Sequence, residues 1–173
     1  NDDAYKVSDA TLSAYESIVR QTLAADCPVL LMITASRGYV EEKDLSKMLR
    51  RTKHLELANY YHLPVGDVVQ LMQQKYKAGE LDLDVCWPPY RYDNTHPSDA
   101  GYQIYFEAAK AAYLSAVTGK DTPVLPEKWL SNDSYQFVKR FVISNMLPEG
   151  SKIEVVKPET SAVAYDFVMS RWL

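Results

Sequence analysis

The chain has 173 residues, of which 47% are apolar and 24% are charged, and its formal net charge is −4. This composition is ordinary for a folded protein of one domain or slightly more. The acidic balance gives no support for nucleic-acid binding, which would require a basic face. No apolar run approaches the roughly 20 residues that a membrane-spanning helix needs. Cys27 and Cys86 are too few for a disulfide framework and lack metal-ligand spacing, and the sequence leaves open whether they pair.

The first third of the chain predicts a helix followed by a strand. Residues 7–25 are typical of a helix with Ser8 as its N-cap. Residues 28–34 form a continuous apolar run, as expected of a parallel strand covered on both faces. Ligand contacts gather at the carboxyl ends of such strands, so Ser36 and Arg37 are candidate cleft residues. The apolar positions of the helix predict a buried stripe of Leu12, Tyr15, Ile18, Val19 and Leu23.

The alternation of helices and strands continues to about residue 78. Residues 41–61 predict a second helix, and residues 63–65 predict a short edge strand. Asp67 is expected to cap a third helix, with Gln70 in the position of a capping box. Helices that alternate with short apolar runs are typical of an α/β layer fold.

A stiff aromatic loop precedes the most informative part of the sequence. Trp87 and Tyr90 flank two prolines, and each proline fixes its own φ angle. A rigid aromatic loop is a candidate wall for a substrate cleft, so Trp87 and Tyr90 are candidate substrate-binding residues. The alternative is an aromatic cluster that packs beneath a loop, and both interpretations stay open here.

Residues 92–117 combine a potential acid–base pair with a helix. Asp93 and His96 are three residues apart on a loop, and Ser98 is expected to cap the helix that Gly119 ends. A carboxylate can fix the tautomer of an imidazole and stabilise its protonated form. The spacing predicts a hydrogen bond between the two side chains, whereas the alternative is a structural Asx-turn. The spacing of apolar residues in this helix predicts that one face is buried. That face would be formed by Tyr102, Tyr105, Phe106, Ala109, Ala112, Tyr113 and Ala116.

The longer string D-x-x-H-P-x-x-x-G-Y resembles the last sequence block of the SGNH (GDSL-type) hydrolases, a family of serine esterases and lipases. The resemblance implies that Asp93 and His96 are the acid and base of a catalytic triad. It also implies structural roles for Pro97 and Gly101. The family's architecture would be a three-layer αβα, flavodoxin-like fold, here partial, over residues 1–119.

The same resemblance gives a role to the first residue. Asn1 and Asp2 match the N-D of the family's G-x-N-D block, in which the asparagine side chain donates to the oxyanion. The family's serine and a second oxyanion donor lie in an opening section that precedes this block. We therefore expect the chain to be a piece of a longer protein, with Asn1 as a third catalytic residue. Gly66 and Asp67 are not the serine block, since Val68 follows them.

The sequence changes character after Gly119. Residues 120–173 predict a proline-bearing linker and then a β-rich accessory segment. Strands are expected at residues 135–143, 152–156 and 162–173, although the first of these also fits helical spacing.

Together these features predict a serine-type ester hydrolase that needs no cofactor and no metal. Its substrate would be a small-molecule or carbohydrate ester, such as an acetylated sugar. One alternative is an SGNH-like acetyl-transfer domain or a non-hydrolytic binding domain. Another is a metal-assisted hydrolase in which Asp93 and His96 act with Asp82 or Asp84, but the spacing and ligand types fit such a site poorly. The oligomeric state is left open.

Overall fold

Six α-helices and two short strands alternate along the part of the chain that the computed structural model describes, residues 5–119 and 122–137. In chain order they are α1 Asp9–Ala24, β1 Leu31–Ile33, α2 Arg37–Glu41, α3 Leu49–Tyr60, β2 Val65–Asp67, α4 Val68–Lys77, α5 Leu83–Cys86 and α6 Asp99–Val117. Single turns of 3-10 helix lie at Leu45–Lys47 and Pro89–Arg91.

The two strands form a parallel pair, with Leu31 opposite Val65 and Ile33 opposite Asp67. Parallel neighbours require a crossover connection, which α2 and α3 provide here. The chain therefore has an α/β fold, as predicted. β1 is shorter than the predicted strand at residues 28–34, and β2 begins where the predicted edge strand at residues 63–65 was expected to end.

The predicted second helix is divided in the structure. Residues 41–61 contain the end of α2, a 3-10 turn and α3 rather than one continuous helix. The third helix is as predicted, because the Asp67 side chain accepts a hydrogen bond from the backbone N–H of Gln70. The aromatic loop predicted around Trp87 and Tyr90 is partly helical, since α5 ends at Cys86 and the second 3-10 turn is Pro89–Arg91.

α6 packs against the sheet through Gly66 of β2. A Cβ atom at Gly66 would overlap Sδ of Met32 and lie 3.1 Å from the carbonyl oxygen of Ala108 in α6. A larger residue here would therefore require the Met32 side chain to move and the backbone at Ala108 to shift by a few tenths of an ångström, so glycine favours this close approach. Leu31 and Ile33, which alternate with Met32, point to the other face and are buried. Both faces of the sheet are thus covered.

The buried face of α6 agrees with the predicted one only in part, since Ala112 is buried as predicted. Ile104, Ala108 and Ala112 are buried, whereas Phe106 is 61% exposed and Tyr113 is 60% exposed. Small side chains give α6 its close seat on β2, so they take the inner face. The larger aromatic rings are left on the outer face, although their spacing is equally helical.

The buried face of α1 is apolar in part, as predicted, since Val19 is buried and Tyr15 and Leu23 pack partly buried against the core, but it also contains polar residues that the sequence did not indicate. Ser13, Glu16 and Ser17 are buried, whereas Ile18 is 65% exposed. These polar groups contact the covering segment, which we define as residues 124–135. Buried polar groups are stable only when they are hydrogen-bonded, and the backbone of the covering segment supplies most of the partners.

Glu16 is the centre of this contact. Its carboxylate accepts hydrogen bonds from the backbone N–H groups of Leu130, at 2.6 Å, and Ser131, at 2.7 Å. The hydroxyl of Tyr61 also donates to it. Arg20, one turn further along α1, donates to the carbonyl of Pro126 at 2.8 Å. The covering segment is therefore held by charged side chains rather than by an apolar stripe.

The covering segment belongs to the same compact unit as the helices, and this unit ends at Gln136. The linker predicted from residue 120 onward is thus, in its described part, a packed segment. Residues 134–137 form a turn, so the described end of the strand predicted at residues 135–143 is not extended. The remaining predicted strands lie outside the described residues. No helix in the described ranges has both the length and the apolar character needed to span a bilayer.

Because the Glu16 carboxylate is hydrogen-bonded in the folded protein, we expect it to stabilise the fold at neutral pH and not in acid. Burial alone would raise the pKa of Glu16, but the hydrogen bonds from Ser131, Tyr61 and Leu130 together hold the pKa below its ordinary value. A lowered pKa in the folded state means that the carboxylate stabilises the fold above about pH 4.3, the ordinary glutamate value, and that this contribution is lost as the pH falls further.

Glu16→Gln should therefore reduce the free energy of unfolding at pH 7 by about 1–3 kcal/mol, the cost of leaving buried donors poorly satisfied. The difference from wild type should shrink as the pH falls below about 4.3 and through the lowered pKa of Glu16, because the wild-type carboxylate is then progressively protonated. Urea unfolding at pH 7 and at acid pH measures the free energy of unfolding of the wild type and the variant. Glu56→Gln is the matched control, because Glu56 forms only an exposed ion pair with Lys53. An equal effect of both variants would contradict the prediction.

Candidate active site

A short loop before α6 brings Asp93 and His96 into contact. Oδ2 of Asp93 lies 2.8 Å from Nδ1 of His96, so the predicted hydrogen bond is confirmed. Oδ1 of Asp93 accepts from the backbone N–H groups of Thr95, at 2.8 Å, and His96, at 3.0 Å. Oδ1 of Asp93 therefore forms an Asx-turn with the backbone, while Oδ2 forms the acid–base pair with His96.

The charge of Asp93 is fixed mainly by the backbone. The N–H groups of His96 and Thr95, followed by the imidazole of His96, lower the pKa of Asp93 to about 2. The carboxylate is thus ionised at neutral pH and can only accept hydrogen bonds. In the neutral imidazole Nδ1 must then carry the hydrogen, which leaves the lone pair of Nε2 free to take a proton. The imidazole is accessible, since 75% of the His96 side chain is exposed.

The loop is anchored at both ends to other elements. The backbone N–H of Arg37, at the start of α2, donates to the carbonyl of Asn94 at 2.9 Å. The backbone N–H of Ser98 donates to the carbonyl of Cys86 at 2.7 Å. Ser98 begins α6 as predicted, but its hydroxyl donates to the carbonyl of Val85 at 2.7 Å rather than capping the helix. α5 therefore holds the point where the loop becomes α6.

Pro97 and Gly101 form the seat on which the loop rests. A Cβ atom at Gly101 would lie 2.5 Å from Cβ of Pro97 and 3.5 Å from Cβ of Cys86. Pro97 is buried in this position, directly after His96. The glycine thus leaves room for Pro97 to pack on the first turn of α6. This packing fixes the direction in which the chain runs from His96 into the helix.

His96 lies at a cleft of about 630 Å³ at the carboxyl end of β1. This cleft is the candidate active site, and it contains the predicted residue Ser36. Tyr105 joins its two walls, since its hydroxyl donates to the carbonyl of Ala35 at 2.6 Å and accepts from the N–H of Ala35 at 2.8 Å. The complete lining is Thr34, Ala35, Ser36, Tyr39, Thr95, His96, Pro97, Tyr102 and Tyr105.

The two aromatic residues predicted to bind substrate lie elsewhere. Trp87 is fully buried and belongs to the hydrophobic core, so its prediction as a cleft wall is wrong in this structure. Its ring, next to α5, packs inward because that removes the largest apolar area in the loop from water. Tyr90 is 77% exposed and is not part of the cleft lining. Arg37 likewise is not part of the cleft lining, and its guanidinium pairs with Asp84.

Three tyrosines that the sequence did not assign to the site line it instead. Tyr102 and Tyr105 were expected in the core of α6, and Tyr39 was not singled out. Helical spacing from His96 could have indicated Tyr102 and Tyr105, which lie on the first two turns after the loop. For Tyr39 the sequence carries no comparable signal, because only the tertiary fold brings α2 to this cleft.

Asn1 lies outside the described residues, so its role as an oxyanion donor stays a prediction. The ring of Tyr5 packs edge-to-face on the ring of Tyr39, with 6.1 Å between the ring centroids. Tyr39 in turn lines the cleft. Residue 5 therefore contacts one residue of the cleft lining.

The structure gives no support to the metal-assisted alternative. Within residues 5–119 and 122–137 there is no group of three or more His, Cys, Asp and Glu side chains that could hold a metal ion. The two additional carboxylates of that hypothesis have other partners. Asp82 accepts from the backbone N–H of Asp84 at 2.8 Å, and Asp84 pairs with Arg37 at 2.6 Å.

Comparisons of the chain with models of protein families, with curated proteins and with solved structures found no match. The site is therefore interpreted from its own geometry.

Gly101→Ala is expected to destabilise the protein and to displace His96, because the added methyl group would overlap Pro97. Overpacking of this kind costs about 1–3 kcal/mol in unfolding free energy. The ¹⁵N chemical shift of His96 Nδ1, which reports its hydrogen bond to Asp93, should change as well. Gly38→Ala is the control, since a Cβ atom there meets no atom within 4 Å. Unchanged stability and an unchanged shift in Gly101→Ala would refute the packing argument.

His96→Ala should leave the pKa of Asp93 well below its ordinary value. The two largest causes of the lowered pKa are backbone N–H groups, which the substitution keeps, and the imidazole is only the third. Titration of the Asp93 side-chain carboxyl by ¹³C NMR measures this directly. A return of the pKa of Asp93 to about 3.9, the ordinary aspartate value, would show that the imidazole and not the Asx-turn controls the charge.

Proposed function

We propose that Asp93 and His96 are the acid–base half of a serine-type ester hydrolase site in an SGNH-like, three-layer αβα fold. The observation that carries the proposal is the 2.8 Å contact between Asp93 and His96 beside an open cleft. The carboxylate is ionised and held by two backbone donors, so the imidazole has a fixed orienting partner. A base that is both oriented and accessible is what activation of a hydroxyl nucleophile requires.

In this proposal the nucleophilic serine lies on a segment that precedes Asn1. Nε2 of His96 takes the proton of the serine as its oxygen bonds to the ester carbonyl carbon. The same imidazole then protonates the departing alcohol as the carbon–oxygen bond breaks, and a water molecule later releases the acyl group by the reverse sequence. Asp93 holds the imidazole and stabilises its charged form. Asn1 would donate to the oxyanion, which is worth about 10²–10³ in rate for one donor.

The role proposed for Asn1 follows from the sequence resemblance. The described start of the chain contacts one residue of the cleft lining, since the ring of Tyr5 packs edge-to-face on the ring of Tyr39. The short parallel sheet, with helices packed on it, is compatible with the SGNH architecture.

The cleft lining favours an uncharged, hydroxyl-rich substrate. Apart from His96, none of the described lining residues carries a side chain that is charged at neutral pH. Tyr39 and Tyr102 present aromatic surface, and Thr34, Ser36 and Thr95 present hydroxyl groups. Rings and hydroxyl groups together suit a sugar, which has apolar faces and polar edges. An acylated carbohydrate is therefore the substrate class we propose.

The test is hydrolysis of p-nitrophenyl acetate by the 173-residue chain and by a longer form that carries the preceding segment. We expect the short chain to show no turnover above the imidazole background, because a base and its orienter do not replace a nucleophile. The longer form should be active. His96→Ala should lower its kcat at least about 10³-fold, and Asp93→Asn should cost no more than that.

A fluorophosphonate probe gives the independent control. It should label a serine of the longer form, and the label should be lost in His96→Ala. Labelling of the longer form without ester turnover would indicate an acetyl-transfer domain instead. Full activity of the 173-residue chain, with a covalent adduct on Ser36 or another serine within it, would sink the proposal.

A further inference from the structure

We propose that Arg37 is a positioning residue that sets the place of His96 at the cleft. The catalytic consequence of this inference rests on the proposed function, whereas its structural content does not. The sequence indicated Arg37 as a cleft residue. In the structure its side chain instead joins α2 to α5, and its backbone holds the loop that contains the acid–base pair.

The guanidinium of Arg37 has partners on two elements. One terminal nitrogen lies 2.6 Å from Oδ1 of Asp84 and donates to the carbonyl of Trp87 at 3.4 Å. Nε donates to Glu41, one turn further along α2, at 3.2 Å. Only 25% of the Arg37 side chain is exposed, so these contacts are partly shielded from water. A planar guanidinium can serve several acceptors in fixed directions, which a lysine ammonium cannot do equally well.

These contacts close a ring of hydrogen bonds around His96. From Arg37 the ring passes through its backbone N–H to Asn94, and then along the loop past His96 to Ser98. Ser98 bonds to the carbonyls of Val85 and Cys86 in α5, the helix that also carries Asp84. The pair of Arg37 with Asp84 completes the ring. Each end of the loop is therefore connected to Arg37.

The acid–base pair cannot set its own place in the cleft. All three hydrogen bonds that Asp93 accepts come from residues within three positions of it. Such a unit keeps its internal geometry wherever the loop moves. Pro97 packing at Gly101 sets the direction of the chain at His96, and the ring sets the distance from His96 to the opposite wall of the cleft, because the backbone of Arg37 directly follows Ser36 and holds Asn94. A misplacement of about 1 Å at a reacting group can cost about 10²-fold in rate.

Backbone amide exchange in the 173-residue chain tests the structural part. The amide of residue 37 reports the contact with Asn94 directly. We expect Asp84→Asn and Arg37→Gln each to reduce its protection at least tenfold relative to the amide of Ile104, which lies in the core part of α6. Glu41→Gln is the matched control, because it removes one carboxylate charge beside Arg37 but keeps the connection to α5. It should change the same ratio by less than twofold.

A spectroscopic reference separates positioning from general damage. The ¹⁵N shift of His96 Nδ1 should stay at its wild-type value in all three variants, because the pair is internally held. Unchanged protection of residue 37 in Asp84→Asn would overturn the inference. An equal loss in Glu41→Gln would also overturn it, since the effect would then be one of charge rather than of connection.

Kinetics test the catalytic part in a form of the protein that hydrolyses p-nitrophenyl acetate. Asp84→Asn should lower kcat at least tenfold and leave KM within twofold, whereas Glu41→Gln should leave both unchanged. Unchanged kcat in Asp84→Asn would refute the catalytic role of the ring. If no form of the protein hydrolyses esters, the proposed function fails, and the exchange ratio alone decides whether Arg37 positions the loop.

Discussion

The close seat of α6 on the two-stranded sheet is the contact on which the candidate site depends. Gly66 favours this contact, because a side chain there would have to displace the end of Met32 and would lie close to the carbonyl oxygen of Ala108. With α6 held there, Gly101 receives Pro97 on its first turn, and His96 leaves the helix toward the end of β1. Close packing at Gly66 on β2 and at Gly101 on α6 thus contributes to the position of the His96 imidazole.

The site shows a division between local and distant interactions. The pairing of Asp93 with His96 is local, since an Asx-turn supplies both the geometry and the lowered pKa of the carboxylate. The wall opposite His96 comes from β1 and α2, and the hydrogen bonds of Tyr105 and Arg37 hold the two parts together. The pairing of Asp93 with His96 therefore depends only on a few neighbouring residues. The position of the pair at the cleft depends on contacts between distant parts of the chain.

α1 shows why apolar periodicity can indicate only part of the buried face of a helix, since Val19 is buried as predicted but polar residues are buried beside it. Ser13, Glu16 and Ser17 are buried because the covering segment brings its own unpaired backbone groups to them. A polar face is stable in that position only when every donor finds an acceptor. The pattern of apolar residues contains no information about a segment more than one hundred positions away. For that reason Ile18, which has a fitting apolar position, lies largely in water.

The sequence by itself determined the α/β class, the caps at Ser8 and Asp67, and the contact between Asp93 and His96. Each of these depends on neighbours within a few residues, or on the alternation of helix and strand. Tertiary structure decided that Trp87 packs in the core, that Tyr39 lines the cleft, and which face of α6 is buried. Those outcomes depend on how closely two backbones approach and on which distant group completes a hydrogen bond. Neither quantity is present in the spacing of residues along the chain.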